Sequence, residues 1–202
     1  MKFLVPVLLF AFSASAETIS GFEDAKVLAD VMSGKIKVEQ VSGSDIESTF
    51  IIRGFFPKGT PDAYVDVATN HKQYPVWFSE IKEAKTLTAN PERTEWTYMM
   101  DIVVKYLFIT EHVKPEGKQV YDRPTDAISE GVVTHTIQNY SDVLKDMVEK
   151  TRLIPYEDGI LVHDYIHYTL NKPTSFAETV RKKLKEQFVR FMTVYRTQVS
   201  GG

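Results

Sequence analysis

One candidate side chain for acid–base chemistry or ligand binding in this sequence is that of Asp164. It lies in the segment from Ile160 to Leu170, whose β-branched and aromatic residues predict a strand. If the Asp164 side of this strand faces the interior, a carboxyl group would lie in an apolar cavity beside Ile166. Burial would then raise its pKa, and the group could orient a ligand or act as a base.

The opposite face of the same predicted strand carries two histidines, His163 and His167. On a helix, this spacing would bring both rings to one face. In a strand, it spans about 13 Å, which a single metal ion does not bridge. The sequence also lacks a His-Glu-x-x-His motif, so we predict no metal site. Whether Asp164 or the two histidines face a ligand depends on the orientation of the strand, which the sequence leaves open.

The usual signatures of nucleophilic catalysis and cofactor binding are missing from the sequence. It contains no Cys, which excludes thiol nucleophiles, disulfides and thiolate zinc sites. It also contains no Gly-x-Ser-x-Gly motif, no phosphate-binding loop and no dinucleotide-binding glycine motif. We therefore expect no cofactor and assign no catalytic residue, and a binding protein is favoured over an enzyme.

A second group of candidate residues lies on two consecutive predicted strands. Between Arg93 and Val103, large apolar residues alternate with polar ones, which places Trp96, Tyr98, Met100 and Ile102 on one face. The next strand, from Tyr106 to Val113, should continue this face with Tyr106 and Phe108. Such rows usually fill a solid core. They would equally suit the wall of an apolar cavity, because aromatic rings and Met offer large and adaptable contact areas.

The segment from Ser175 to Val199 predicts one long amphipathic helix. Ser175 and Glu178 have the spacing of a capping box, and about 24 residues would span roughly 36 Å. Apolar residues recur at helical spacing and form one stripe, made of Val180, Leu184, Phe188, Phe191 and Tyr195. The other side is rich in Lys and Arg, so the stripe should pack on the sheet.

The remaining segments predict the other elements of the domain. A capping box at Ser20 and Glu23 predicts an N-terminal helix over about 21–33 that ends at Gly34. Two strands follow at about 36–41 and 46–56, then two short helices at about 60–69 and 71–79, and a further strand at about 81–88. Thr60 should cap the first of these helices, with Pro61 at its first position. We expect residues 118–122 to pair back as a hairpin strand. Towards the C-terminus we predict a strand over 131–139, a turn of helix over 141–145, and a hairpin of 151–156 with 160–170 about an Asp-Gly turn.

The first sixteen residues have the pattern of a secretory signal peptide. A basic Met1-Lys2 pair precedes an apolar run from Phe3 to Phe12, which is too short to span a bilayer. Ala14-Ser15-Ala16 then supplies a cleavage site. We expect cleavage after Ala16, a single domain over 17–202, no stable membrane span in the mature chain, and a periplasmic or secreted product.

The composition fits a soluble globular domain. Hydrophobic residues make up 43% of the chain and charged residues 25%, which are ordinary values. The net charge of −3 does not favour binding to nucleic acid or to an anionic membrane surface.

The segment from Val65 to Ser79 resembles a stretch typical of the START-like group, also called the SRPBCC or birch-pollen-allergen-like group. That stretch reads V-x-x-V-x-x-D-x-x-x-Y-P-x-W-x-P. Tyr74, Pro75 and Trp77 match it, whereas Asn and Ser stand in place of its Asp and last Pro. The hairpin over 152–165 also resembles the late strands of the group, without the Gly-x-Trp that often precedes them. The resemblance covers about 46–199 and is nearest to the bacterial polyketide cyclase and lipid-transport branch.

The resemblance implies an α+β helix-grip fold. In that fold, a curved antiparallel sheet of about six to seven strands wraps a long C-terminal helix, two short helices follow the first strand, and here an N-terminal helix is added. A ligand would lie between the sheet and the C-terminal helix. The ligand-binding residues expected on this basis are Trp96, Tyr98, Met100, Ile102, Tyr106, Phe108, His135, Asp164, Ile166, Leu184, Phe188, Phe191 and Tyr195.

The sequence and the resemblance together favour a periplasmic or secreted carrier for a hydrophobic or amphipathic, lipid-like molecule. One alternative is a cyclase or aromatase that uses the same cavity, with acid–base groups among His135, Asp164, Tyr98 and Tyr165. Another is a protein-interaction module whose groove receives a segment of a partner. A filled core without a cavity would favour the interaction module.

Overall fold

The computed structural model describes residues 19–106, 109–125, 129–138, 144–171 and 177–201. The predicted signal peptide, Phe108 and Ser175 lie outside these ranges, as do the side chains of Tyr106 and Val180. The predictions made for them are therefore not tested by the structure.

The described chain forms four α-helices, one short 3-10 helix and nine strands. In chain order, they are α1 (Ala25–Met32), β1 (Lys37–Gly43), β2 (Glu47–Pro57), α2 (Pro61–Ala68), a 3-10 turn (His71–Gln73), α3 (Tyr74–Trp77), β3 (Ile81–Ala89), β4 (Glu95–Tyr106), β5 (Ile109–Val113), β6 (Glu116–Asp122), β7 (Gly131–Gln138), β8 (Leu144–Tyr156), β9 (Gly159–Leu170) and α4 (Ala177–Ser200).

All nine strands of the described chain join one antiparallel sheet. Its order is β1-β2-β9-β8-β7-β6-β4-β3, and β5 also pairs with β4. The sheet has more strands than the six to seven expected, partly because the chain folds back after β4. β6 pairs with the first half of β4 and β5 with the second half, so one edge of this long strand carries two partners. The two short helices follow the second strand rather than the first.

The long helix α4 packs on the sheet and on α2, as the helix-grip prediction requires. Phe188 and Met192 of α4 are buried with Phe50, Ile52 and Val162 of the central strands. A second buried cluster, containing Tyr74, Phe78, Ile81, Tyr98 and Met100, lies under α3 and β3, and Phe191 of α4 packs against it. The apolar stripe of the helix thus meets both parts of the core.

The helix α1 covers the outer face of the sheet. Phe22 and Val31 bury Phe55 and Leu161 on the side away from α4. Leu161 is completely buried although its neighbours Ile160 and Val162 point to the opposite face and are buried too. The central part of β9 is therefore apolar on both faces, which is why its sequence did not reveal its orientation.

Two local predictions were wrong. The first helix begins at Ala25 rather than near Gly21, and its N-cap is Asp24, whose carboxylate accepts from the Lys26 amide at 2.7 Å. Glu23 accepts from the Gly21 amide, so it does not close a capping box with Ser20.

The second error concerns the turn of helix predicted over 141–145. Residues 141–143 lie outside the described ranges, and from Leu144 onward the chain is strand β8. This segment pairs with β7 on one side and β9 on the other, so both neighbours satisfy its backbone groups. These non-local hydrogen bonds override the weak helical period of its apolar residues.

Other predictions are confirmed. Thr60 caps α2 with Pro61 at the first helical position, and α4 runs over 24 residues. The hairpin of β8 and β9 turns at Glu157 and Asp158. In the described chain, no helix is both long enough and apolar enough to cross a membrane.

Candidate functional site

A cavity of about 740 Å³ lies between the concave face of the sheet and α4. Its size falls within the range of small-molecule sites, which is roughly 300–1,000 Å³. Apolar residues form most of its wall, among them Ile81, Val133, Ile137, Leu144 and Met147. The core of the described chain is therefore hollow on this side.

The cavity brings together most of the predicted ligand-binding residues. Those that line it are Tyr98, Met100, Ile102, His135, Asp164, Ile166, Leu184, Phe188, Phe191 and Tyr195. Trp96 does not line it and packs instead in the buried core near α2. The side chains of Tyr106 and Phe108 are not described. That these residues contact a ligand stays a prediction.

The structure decides the orientation of β9 in favour of Asp164. Its side chain is only 2% exposed and lines the cavity, as Ile166 does. His163 lies on the outer side, where its ring contacts that of Phe22, and burial lowers its pKa. His167 pairs with the Thr49 hydroxyl at 3.1 Å. Neither histidine lines the cavity.

A polar cluster, which we call the inner wall, lies deep in the cavity and consists of Tyr98, His135, Glu149, Thr151, Asp164 and Tyr195. The imidazole of His135 joins two of its members, with Nδ1 3.0 Å from Glu149 Oε2 and Nε2 hydrogen-bonded to the Tyr98 hydroxyl. His135 and Glu149 are opposite each other on β7 and β8, so sheet register fixes the pair.

The carboxyl groups of Asp164 and Glu149 have opposite pKa shifts in the folded protein. Burial, the Glu149 charge and a hydrogen bond to Glu149 raise the pKa of Asp164 well above its usual range. Burial opposes the ionisation of Glu149, but the hydrogen bond and charge of His135 outweigh it and lower the pKa of Glu149. Of the two carboxyl groups, Asp164 therefore binds a proton at the higher pH, and its Oδ1 accepts from the Thr151 hydroxyl at 3.1 Å.

Tyrosines surround this carboxyl pair. Burial raises the pKa of Tyr64 well above its usual range. The Tyr74 hydroxyl donates to the Ala68 carbonyl at 2.5 Å and lies 2.6 Å from the Tyr195 hydroxyl of α4. The protonated phenols thus tie α4 to the short helices beside the cavity.

Behind the inner wall, a buried histidine supports Tyr98. The His71 ring stacks on that of Tyr98 with centroids 4.5 Å apart. Its nitrogens bond to the Thr86 hydroxyl at 2.9 Å and to the Gln119 amide oxygen at 3.2 Å. Burial lowers the pKa of His71 to about 4, so its ring is neutral at physiological pH. It packs against the phenol without adding charge.

Exposed polar residues mark the mouth of the cavity. Ser79, Lys82, His112 and Lys183 line it and are exposed to solvent. Beside them, Arg190 of α4 bonds to Glu80 at 2.8 Å and lies over the ring of Phe78, 5.5 Å from its centroid. The mouth thus lies between the first turns of α4, the start of β3 and the hairpin strand β5.

The sequence analysis missed several members of this site, including Glu149 and Thr151. The signal was present, because Met147, Glu149, Thr151 and Leu153 alternate along β8 and share one face. The expected turn of helix nearby hid this alternation. Among the described residues, no group of three or more His, Asp or Glu side chains is arranged to hold a metal ion.

No protein-family model matches this sequence, and no curated protein matches it significantly. Solved structures do match. A STAR-related lipid transfer protein from Xanthomonas axonopodis is 17% identical, with a TM-score of 0.60 over 81% of this chain and 93% of that chain. A START superfamily protein from Mycobacterium smegmatis is 12% identical, with a TM-score of 0.52 over 77% of this chain and 98% of that one.

The Zhui aromatase/cyclase from Streptomyces sp. R1128 is 10% identical, with a TM-score of 0.51 over 83% of this chain and 93% of that chain. Identities this low show the fold alone. The chain therefore has the START-like helix-grip fold that its sequence resembles.

Proposed function

We propose that this protein binds a hydrophobic or amphipathic, lipid-like small molecule and acts as its carrier. The observation that carries the proposal is the cavity of about 740 Å³, whose wall is mostly apolar and whose depth holds one polar cluster. Each methylene of a ligand buried there contributes about 0.8 kcal/mol, and the inner wall orients its polar end. The fold neighbours described as lipid transfer and START proteins support the proposal.

The carrier works outside the cytoplasm in this proposal. Its support is the n-region, the apolar run and the Ala14-Ser15-Ala16 pattern at the start of the chain. The N-terminal sequence of the protein recovered from its host tests this directly. We expect it to begin at Glu17, and a protein retained in the cytoplasm with Met1 in place would contradict it.

Native mass spectrometry of the protein purified from its host tests the binding function. We expect a bound apolar molecule that is released on denaturation. Narrowing the cavity through Ile166→Trp should weaken this retention, because the larger ring enters the space beside Asp164. The matched control is Tyr165→Trp, since Tyr165 is the next residue of β9 and is 42% exposed on the other face.

The thermal midpoint of both variants establishes that they fold. Should Ile166→Trp prove unstable, Leu184→Trp narrows the same cavity from α4. A folded variant with a narrowed cavity that retains as much ligand as wild type would refute binding at this site. Wild-type protein that carries no apolar molecule, and that also fails to bind added ones, would refute the carrier function.

A specific observation favours a second candidate, a cyclase- or aromatase-type enzyme. Tyr98, His135 and Glu149 form a connected acid–base series that faces the cavity. Tyr165, an earlier candidate, is excluded from this role because it is exposed on the outer face of the sheet. Turnover of a polyketide-like substrate that His135→Ala abolishes, with ligand retention unchanged, would establish the enzyme over the carrier.

A further inference from the structure

The hydrogen-bond donors of the described inner wall are used within the protein. The first series runs through His135. The carboxylate of Glu149 only accepts, so His135 Nδ1 is the donor across their 3.0 Å contact. The other ring nitrogen, Nε2, is hydrogen-bonded to the Tyr98 hydroxyl. Both ring nitrogens of His135 and the Tyr98 hydroxyl are therefore already hydrogen-bonded within the protein.

The second series runs through Asp164. The Thr151 hydroxyl donates its single proton to Asp164 Oδ1 at 3.1 Å. Tyr64 is also hydrogen-bonded to Thr151. Asp164, whose pKa is raised well above its usual range, is in turn hydrogen-bonded to Glu149. Tyr64, Thr151 and Asp164 are thus linked in one series that ends on Glu149.

The third series closes the wall at α4. The Tyr74 hydroxyl donates to the Ala68 carbonyl at 2.5 Å, so Tyr195 is the donor in its 2.6 Å contact with Tyr74. The Gln119 amide donates to the same Ala68 carbonyl at 3.3 Å. The hydroxyl protons of Tyr74 and Tyr195 are thus also used within the protein.

Glu149 is the strongest acceptor that remains. A carboxylate has room for about four hydrogen bonds, and the bonds from His135 and Asp164 occupy two of these positions. Its side chain keeps 23% exposure, and it lines the cavity. The lysines among the described lining residues, Lys82 and Lys183, are exposed at the mouth and do not belong to the inner wall.

We propose that the inner wall selects ligands whose buried end carries a hydrogen-bond donor and no negative charge, a hydroxyl or an ammonium group, with Glu149 as the specificity-determining acceptor. This inference rests on the proposed binding function. A ligand carboxylate at the same place would meet the like charge of Glu149, which opposes binding. Such a ligand, if bound, would have to keep its anionic end at the mouth.

Three ligands of equal chain length test this selectivity. Dodecylamine, 1-dodecanol and dodecanoate are titrated at pH 7 against the full-length protein loaded with N-phenyl-1-naphthylamine, an uncharged fluorescent ligand. We expect the amine and the alcohol to displace it with affinities at least about tenfold higher than that of dodecanoate. In Glu149→Gln, the amide removes the charge and supplies a donor, so the ratio should fall to near one.

The control is Glu83→Gln on β3, which removes the same charge from a side chain that is 59% exposed and does not line the cavity. It should leave the ratio at its wild-type value. The inference is overturned if dodecanoate binds wild-type protein as tightly as the amine and the alcohol, whatever Glu149→Gln does. It is also overturned if a folded Glu149→Gln keeps the wild-type ratio. If the protein binds neither the dye nor any of the three ligands, the proposed binding function itself is refuted.

Discussion

Replacing Asp164 with Asn should make the stability of this protein less dependent on pH. In the folded protein, burial and the nearby Glu149 charge raise the pKa of the Asp164 carboxyl well above its usual range. In the unfolded chain the same group ionises near its ordinary value of 3.8. Between these two pKa values, folding takes up a proton, so this group lowers the free energy of unfolding as the pH rises.

The slope of that loss is about 1.4 kcal/mol per pH unit for one proton. From pH 5 to pH 7 the penalty in the wild-type protein would grow by about 3 kcal/mol, provided that the folded-state pKa lies above this window. Asn removes the titration and preserves the bonds, since its oxygen accepts from Thr151 and its NH₂ group donates to Glu149. The variant should therefore gain stability over wild type as the pH rises.

Other titrating groups contribute little to the difference between the two proteins. Glu149 has a lowered pKa, so its contribution is present above 4.5 and is lost only as the pH falls through its folded-state pKa. His71 and His163 have lowered pKa values and destabilise the fold as the pH falls below 6.5. Both histidines are present in wild type and variant, so their effect cancels.

Urea denaturation followed by tryptophan fluorescence at pH 5, 6, 7 and 8 measures the difference. The control is Asp66→Asn, which removes an Asp from the surface pair with Arg93, where the Asp66 side chain is 65% exposed. The free energy of unfolding of this control should change with pH as that of the wild-type protein does. If that of Asp164→Asn also changes as in wild type, Asp164 is not the member of the pair with the raised pKa, and the hydrogen-bond assignment of the inner wall fails with it.

Two further substitutions test local features of the structure. Gly117→Ala would drive its methyl group into the Tyr98 ring, so we expect a loss of about 1–3 kcal/mol and weaker ligand binding, measured by denaturation and by dye displacement. At Gly54, an added methyl group meets its nearest neighbour at 3.5 Å, and equal instability of Gly54→Ala would contradict the steric argument. Thr60→Ala removes the cap of α2 and should lower the free energy of unfolding by about 1 kcal/mol. The control is Thr193→Ala, which removes an exposed hydroxyl within α4 and should change the thermal midpoint little. Similar losses in the two variants would contradict a stabilising role of the cap.

Much of the fold could be predicted from local signals. The alternation from Trp96 to Ile102 was confirmed, because a strand buried on one face must place apolar residues at every second position. The cap at Thr60 and the length of α4 were confirmed as well. The cap at Ser20 was wrong because the adjacent Asp24 competes for the same role.

The candidate site was predicted only in part. The strand face of β4 and the stripe of α4 supplied the apolar lining, since both follow from periodicity. Glu149 escaped prediction because its segment was expected to contain a turn of helix, and its importance depends on His135 across the sheet. No local sequence pattern predicts that a carboxylate will lie opposite an imidazole on the neighbouring strand.

The sequence by itself determined the periodic elements and the apolar character of the space between them. Only the tertiary structure decided which face of β9 points inward. Because α1 buries the outer face near Leu161, both faces of this strand carry apolar residues there, and the sequence shows no difference in hydrophobicity between them. The tertiary structure also decided which polar side chains meet in the inner wall. His135 meets Glu149 and Thr151 meets Asp164 through the registers of β7 with β8 and of β8 with β9. A shift of one residue in either register would turn these side chains to opposite faces.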